Sequence, residues 1–485
     1  MVKALARFIL GKCTKVIFEN QIRASATRNR GTNLLPDNIL RYNDSRTYGY
    51  KPVICYAPSL ALYFNIYGDV LACCQNTKDI LGNLQESSLD DIWNSTRRQQ
   101  LQEDIRNYVL PEGCSSCQLS INNNRHHQTL ARIYDTPAIF YGDNIQYPLD
   151  LTFEIRNTCN LECIMCNAEY SSTIRKNRDE LPQLQNYYPD DFLDQLKPYL
   201  MHGKTFRFQG GEPFLIDAYL DIIEFVSEHN KSHKIYIQTN GTIYNNRVAK
   251  ILSQNNIHLS ISIDSLNEER YKSIRKNALL PKVLGNLKAY QTHLKKHKNT
   301  ININICIMHN NWREIPDFIE FCHTNDFTFT FIMIEFPEYL SIINLGTRKI
   351  KEIKEFLQSS ISDVHKKAYR SEYDSLLFTM DEFYRRSIRF ETEIGQMQQY
   401  CSEELNEMIR SRLSNHLPEH EITKLLSHFR SKATGLHEGS YRIIIAKLIC
   451  FLKEVANIEK YDTFKEKRLL NELRRYFEYE IGLLT

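Results

Sequence analysis

The stretch Leu149-Asp-Leu-Thr-Phe-Glu-Ile155 runs through Arg156-Asn-Thr straight into Cys159-Asn-Leu-Glu-Cys163-Ile-Met-Cys166. An apolar strand that feeds three cysteines decides how the rest of the chain is read. With 13 cysteines in 485 residues, this three-position pattern is expected by chance about 0.01 times per chain. Three thiolates from one short loop can hold three corners of a cubane [4Fe–4S] cluster and leave its fourth iron open for reaction. Structural zinc prefers four closed ligands, and buried cysteines acting as small hydrophobes are the bland alternative.

Outward from this loop the pattern is strand, then helix, repeated. Strands are expected at Leu149–Ile155, Thr205–Gln209, Lys234–Gln238, His258–Asp264, Thr300–Met308 and Thr328–Ile334. Helical stretches fall between them at Asp190–Tyr199, Asp217–Glu228, Asn245–Asn255, Asn267–Lys276, Leu280–His293 and Trp312–Thr324. Alternation of this kind implies a parallel sheet, doubly wound or an incomplete barrel, with sites at the C-terminal strand ends.

The three-cysteine loop resembles that of the radical S-adenosylmethionine (radical SAM) superfamily, whose signature is C-x3-C-x2-C after the first barrel strand. Phe208-Gln-Gly210-Gly211-Glu212-Pro213 resembles the family's GGEP segment, which holds the cofactor's amino group. Gln238-Thr239-Asn240-Gly-Thr242 resembles the segment ending its third strand, and Ser260-Ile-Ser262-Ile-Asp264-Ser the one that contacts ribose and methionyl carboxylate. Met165 stands where the family commonly has an aromatic residue against the adenine. The resemblance implies an incomplete (β/α)6 TIM-like barrel and a SAM-binding [4Fe–4S] cluster on Cys159, Cys163 and Cys166. Met165, Gly210, Gly211, Glu212, Pro213, Thr239, Asn240, Ser262 and Asp264 then contact S-adenosyl-L-methionine. It further implies an enzyme that cleaves this cofactor reductively to a 5′-deoxyadenosyl radical, which abstracts hydrogen from substrate.

A second cysteine set comes first in the chain: Cys55-Tyr-Ala-Pro58, Gly68-Asp-Val-Leu-Ala-Cys73-Cys74 and Cys114-Ser-Ser-Cys117. It resembles the SPASM/twitch auxiliary-cluster module, which in the best-known enzymes follows the barrel. By that match Cys55, Cys73, Cys114 and Cys117 hold a second [4Fe–4S] cluster, with Cys74 the alternative to Cys73. A tetrahedral zinc site on four sulfurs is the competing reading. A thioredoxin-like Cys114–Cys117 pair lacks a βαβ context. Members with such modules often modify peptides or proteins. A peptide or protein substrate is therefore expected, then a sugar or other small metabolite, with an external one-electron reductant of flavodoxin or ferredoxin type. An iron–sulfur electron carrier without chemistry of its own, or a metal-stabilised binding protein, would not need the SAM-site segments.

Composition frames these motifs. Hydrophobic residues at 42% and charged residues at 25% describe a folded chain rather than a disordered one. The net charge of +3 gives no global footprint for nucleic acid, and no partner of that kind is expected. No apolar run suits a transmembrane helix, and Arg7, Lys12 and Lys15 interrupt the only targeting-like stretch, so a cytoplasmic location is expected. Five regions follow: a leader with an amphipathic helix and polar linker (1–50), the auxiliary α+β module (51–120), a connector (121–147), the partial barrel (148–340) and a helical C-terminal region (341–485). Within them a helix from Leu89 to about Tyr108 is expected, and His126 and His127 read as exposed connector residues. The tail's apolar face includes Ile443, Ile444, Leu448, Leu452, Leu470, Leu473 and Phe477, and no motif there points to chemistry.

Overall fold

The structure is a computed structural model, and it describes residues 34–47, 51–126, 129–135, 145–294, 299–397, 399–414, 416–434, 436, 438–455 and 465–482. The expected amphipathic helix near the N-terminus, part of the polar linker that follows it and His127 lie outside the described residues. Among those described, the strands are β1 (Ala61–Phe64), β2 (Asp69–Leu71), β3 (Gly82–Asn83), β4 (Asp150–Phe153), β5 (Glu162–Cys163), β6 (Thr205–Phe208), β7 (Lys234–Thr239), β8 (Ile257–Ser262), β9 (Arg275–Lys276), β10 (Thr300–Ile307) and β11 (Thr328–Met333). The fold is mixed α/β, with a large, mostly parallel sheet and many helices. Every strand expected between Leu149 and Ile334 is present, because each is an apolar, β-branched or aromatic run bounded by turn residues.

The chain divides into two compact units, the first made of residues 1–157, 184–237 and 246–258. Its strands lie in the order β7-β6-β4-β1-β2-β3. β1, β4, β6 and β7 run parallel, and β2 and β3 add antiparallel at the end. The N-terminal strand is thus not held in a sheet of its own: Ala61 pairs with Asp150 and Phe64 with Phe153. An aromatic ladder follows that register. Phe64 stacks on Phe153 and Phe153 on Phe208, each pair with ring centroids 5.2 Å apart, and Tyr219 closes the row at 5.3 Å. All four rings are buried, and each such pair contributes about 0.5–1.5 kcal/mol beyond its area. The Tyr219 hydroxyl accepts the Ile155 N–H at 2.9 Å, tying the end of β4 to the helix Asp217–His229.

Two local expectations change in this unit. The helix expected from Leu89 is two helices, Leu89–Trp93 and Thr96–Arg106, because Ser95 caps the second through the Arg98 N–H. Ile121 and Asn122 belong to the helix Ser115–Asn122 rather than to a connector, and the His126 ring packs edge-on against Tyr42 at 5.8 Å.

The second unit comprises residues 158–183, 238–245 and 259–485. β10 lies beside β8 and pairs in parallel with β11, from Asn302–Thr328 to Ile307–Met333. The helix expected through Lys276 stops at Ile274, and Arg275-Lys276 instead forms β9, antiparallel to β5. Past residue 345 the apolar period is that of helices, and the buried residues obey it: Leu405, Ile409 and Leu413, then Ile422, Leu425 and Phe429, then Leu469, Leu473 and Tyr476. On the helix Glu438–Val455 the buried face is Ile444, Ile445, Leu448, Ile449 and Leu452, whereas Ile443, expected on that face, is 37% exposed. These side chains form one core with Ile274, Met308, Tyr339 and Leu340. Burying each large aliphatic side chain contributes about 1.5–3 kcal/mol.

Candidate functional site

In the second unit the three-cysteine loop is built from the β5–β9 ribbon and a turn. Cys163 lies in β5, opposite Arg275, and the Ile164 N–H donates to the Ile274 carbonyl at 3.0 Å. The Cys166 N–H donates back to the Cys163 carbonyl at 3.0 Å, which folds the third cysteine towards the second. Glu162 anchors the ribbon, accepting from Asn177 at 3.1 Å and Asn277 at 3.0 Å. The Cys159 carbonyl accepts from the Ser172 and Thr173 hydroxyls. The Cys166 thiol is pushed up to about 12, first by burial and then by Cys163 and Cys159, so the three sulfurs lie within one another's electrostatic reach. Burial also raises the Cys163 thiol, against the pull of Arg275. A cationic iron centre would reverse that penalty by favouring thiolates.

The residues expected to contact the cofactor have these places. Asn240 Nδ2 donates to Asn160 Oδ1 at 3.0 Å and lies 3.9 Å from Cys159 Sγ, so it steadies the cysteine loop. Thr239 Oγ1 accepts the Gly241 N–H at 3.1 Å. Ser262 is buried at the end of β8. Asp264 is fully buried: its Oδ1 accepts the Cys306 N–H at 2.8 Å, and its Oδ2 lies 2.8 Å from Arg275 Nε as an ion pair without hydrogen-bond alignment. Met165 packs on the core shared by Ile274, Met308 and the C-terminal helices. In the first unit, Gly210 and Gly211 both adopt positive φ, at 77° and 55°. A Cβ on Gly210 would meet Glu154 Cγ at 2.4 Å, so only glycine fits there. Glu212 is fully buried, and its Oε1 accepts the Phe214 N–H at 3.2 Å where Pro213 opens a 3-10 turn.

The N-terminal cysteines also gather in the first unit. Burial raises the Cys55 thiol, and Cys73, Cys117 and Cys114 raise it further. Burial likewise pushes Cys114 up to about 12, with Cys73 and Cys117 as its next causes. N–H groups already point at these sulfurs: Ala57 N–H lies 3.3 Å from Cys55 Sγ, and Asn76 Nδ2 lies 3.4 Å from Cys114 Sγ. Gln75 and Asn76 serve Cys73 in the same way, and Leu130 and Ala131 serve Cys117. Cys74 differs, being exposed and near Glu154 and Arg207 besides Cys73. The two donor sets suit clusters whose corners each take one thiolate. Among the described residues no three Cys, His, Asp or Glu side chains are grouped tightly enough to hold one metal ion.

Several residues at these sites escape a motif reading. Arg275 lies 3.9 Å from Cys163 Sγ through Nη1, and Arg178 Nη2 donates to the Cys166 carbonyl at 2.7 Å. Cys306, which reads as an isolated buried cysteine, is close enough for Cys163 and Cys166 to raise its thiol after burial and Asp264. Its place near the end of β10 is the one sequence feature that could have marked it. A Cβ on Gly113 would lie 1.7 Å from Asn76 Oδ1, so a side chain there must displace Asn76.

Fold and sites together define a class: an α/β protein with two sets of clustered thiols. Residues 153–322 match the Radical SAM superfamily, and residues 55–118 match the SPASM iron–sulfur cluster-binding domain. The chain therefore carries a radical SAM domain preceded by a SPASM domain, a pairing that implies a SAM-binding [4Fe–4S] cluster and an auxiliary cluster. It is 31% identical over 196 residues to a GTP 3′,8-cyclase of Clostridium perfringens, covering 40% of this chain and 56% of that protein. It is 30% identical over 183 residues to a cysteine-type anaerobic sulfatase-maturating enzyme of Clostridium novyi, covering 36% and 47%. The chain spans about half the length of the curated relatives it matches. Among solved structures, anSMEcpe with AdoMet and Cp18Cys peptide aligns with a TM-score of 0.31 and 23% identity over 43% of this chain and 57% of that one. Streptococcus suis SuiB bound to the precursor peptide SuiA aligns at 0.32 and 15%, over 62% and 68%. No helix among the described residues is long and apolar enough to cross a membrane.

Proposed function

We propose that the chain is a radical SAM enzyme that abstracts hydrogen from a peptide or protein. The observation that carries this reading is the three-thiol loop inside a radical SAM domain, where Cys163 is buried and both Cys163 and Cys159 lie close enough to act on the Cys166 thiol. When bound there, a [4Fe–4S] cluster and S-adenosylmethionine supply a 5′-deoxyadenosyl radical. The protein's own groups bind, orient and shield. Cys159, Cys163 and Cys166 would hold three irons, with Asn240 and Arg178 fixing the loop at its two ends. Gly210 and Gly211 present backbone at close approach, and Glu212 is the carboxylate for the cofactor ammonium. Thr239, Ser262 and Asp264 stand at the strand ends of an incomplete (β/α)6 barrel, with Asp264 acting through Arg275. Cys55, Cys73, Cys114 and Cys117 would close the coordination of the auxiliary cluster, which suits electron relay from an external one-electron reductant. The match of residues 55–118 to an iron–sulfur cluster-binding domain favours the cluster over zinc.

The peptide reading is supported by the similarity to the sulfatase-maturating enzyme. The similarity to GTP 3′,8-cyclases favours a nucleotide as the second reading. Anaerobically reconstituted protein is expected to cleave S-adenosylmethionine, and replacing Cys159, Cys163 and Cys166 with Ala should abolish cleavage and remove about half the iron. Cleavage retained in that triple variant would sink the assignment. Mass spectrometry of co-expressed peptides, against turnover of added nucleoside triphosphates, separates the two substrate classes.

A further inference from the structure

The C-terminal helices carry no recognised motif, yet within the second unit they reach the cysteine loop. Ile164 and Met165, the two residues between Cys163 and Cys166, pack on the core that the C-terminal helices share with Ile274, Met308, Tyr339 and Leu340, as does Cys306. Beside that contact runs a chain of charge. Asp179 is 2% exposed, and its carboxylate pairs with Arg475 of the helix Lys465–Gly482. Its Oδ1 also lies 3.3 Å from Arg178 Nε, and Arg178 Nη2 donates to the Cys166 carbonyl at 2.7 Å. A π-turn over Ile174–Arg178 makes this possible, closed by the Asp179 N–H on the Ile174 carbonyl at 3.0 Å. The extra residue in that turn carries Arg178 back towards Cys166 and leaves Asp179 facing the last helix; such turns recur at functional sites. Arg475 is itself aimed by Glu472, whose Oε1 accepts from Nη1 at 2.7 Å.

We propose that Arg475 is a positioning residue for the radical SAM cluster: through Asp179 and Arg178 it sets the orientation of Cys166, so the C-terminal helix is part of the site. This rests on the reading of Cys159, Cys163 and Cys166 as cluster ligands. The carbonyl of Cys166 is held by a guanidinium whose own position depends on a carboxylate shared with Arg475. Without Arg475 that carboxylate has one cation left, and Arg178 is drawn towards it and away from the carbonyl. Groups that orient metal ligands at second hand commonly carry about 10- to 100-fold in affinity or activity.

The test uses the full-length, anaerobically reconstituted protein with Arg475→Met, Arg475→Lys and Asp179→Asn. Glu478→Gln is the control, an exposed charge on the same helix paired with His428 and Lys432. Iron content, melting temperature, the EPR spectrum of the reduced protein with and without S-adenosylmethionine, and the cleavage rate are read for each. Arg475→Met is expected to keep its iron, shift the EPR signal obtained with S-adenosylmethionine, and cleave about 10- to 100-fold more slowly. Arg475→Lys should recover part of the rate, and Glu478→Gln should match wild type. If Arg475→Met does not fold, Asp179→Asn carries the same expectation. A wild-type spectrum and rate, with only a lower melting temperature, overturns the proposal, as does a rate that falls only in proportion to lost iron. Wild-type protein that holds no iron at all would instead overturn the cluster reading itself.

Discussion

Arg275→Met tests the buried pair behind the cysteine loop. Asp264 is 0% and Arg275 8% exposed in their side chains, and the two groups lie 2.8 Å apart. Burial alone would lower the Arg275 guanidinium; the adjacent Asp264 carboxylate, with Cys163, more than offsets it and holds it well above its ordinary value. Removing one member of such a pair costs about 3–5 kcal/mol, because the other charge stays buried without compensation. For a cooperative unit of roughly 260 residues that corresponds to a fall in melting temperature of about 5–9 °C. Asp264→Asn should cost a similar amount, because the guanidinium, which cannot shed its proton, is then the buried charge left without compensation. The double variant Arg275→Met/Asp264→Asn leaves no buried charge, keeps an acceptor for the Cys306 N–H, and should recover most of the loss. Urea and thermal melts of the iron-free protein, followed by circular dichroism, separate these folding effects from cluster chemistry. A loss under about 1 kcal/mol in Arg275→Met, or no recovery in the double variant, would refute the reasoning.

Two further outcomes concern the auxiliary set. Cys74→Ala should retain the auxiliary-cluster EPR signal and Cys73→Ala should lose it, because Cys73, and not the exposed Cys74, lies with Cys55, Cys114 and Cys117; equal loss in both would contradict that placement. Gly113→Ala forces Asn76 away from Cys114, and should lower stability by about 1–3 kcal/mol with reduced iron in the auxiliary site, read by melting temperature and iron analysis of the Cys159/Cys163/Cys166→Ala background.

The sequence alone determines what depends on near neighbours along the chain. The strands β4, β6, β7, β8, β10 and β11 and most of the helices between them follow from apolar runs and periods interrupted by Gly, Asn, Asp and Pro, since side-chain alternation and helical period are local properties. The cysteine motif is local in the same sense, with three thiols within eight residues. Where local pattern misleads, a specific contact outweighs it. Ser95 splits a helix by capping its second half, and Arg275 leaves its helix to pair across β5. Tertiary structure alone decides which distant groups meet: β1 beside β4, Asp264 against Arg275, and Cys73 rather than Cys74 among the auxiliary thiols. The C-terminal region shows the same division. Its helices are legible from their period, but that Leu448 and Leu473 share a core with Ile164 and Met165 is not. An apolar stripe specifies that a face must be buried and says nothing of its partner, because the hydrophobic effect is non-directional. The partner is chosen by shape and by the few directed contacts, such as Arg475 to Asp179, that form only when the chain has closed on itself.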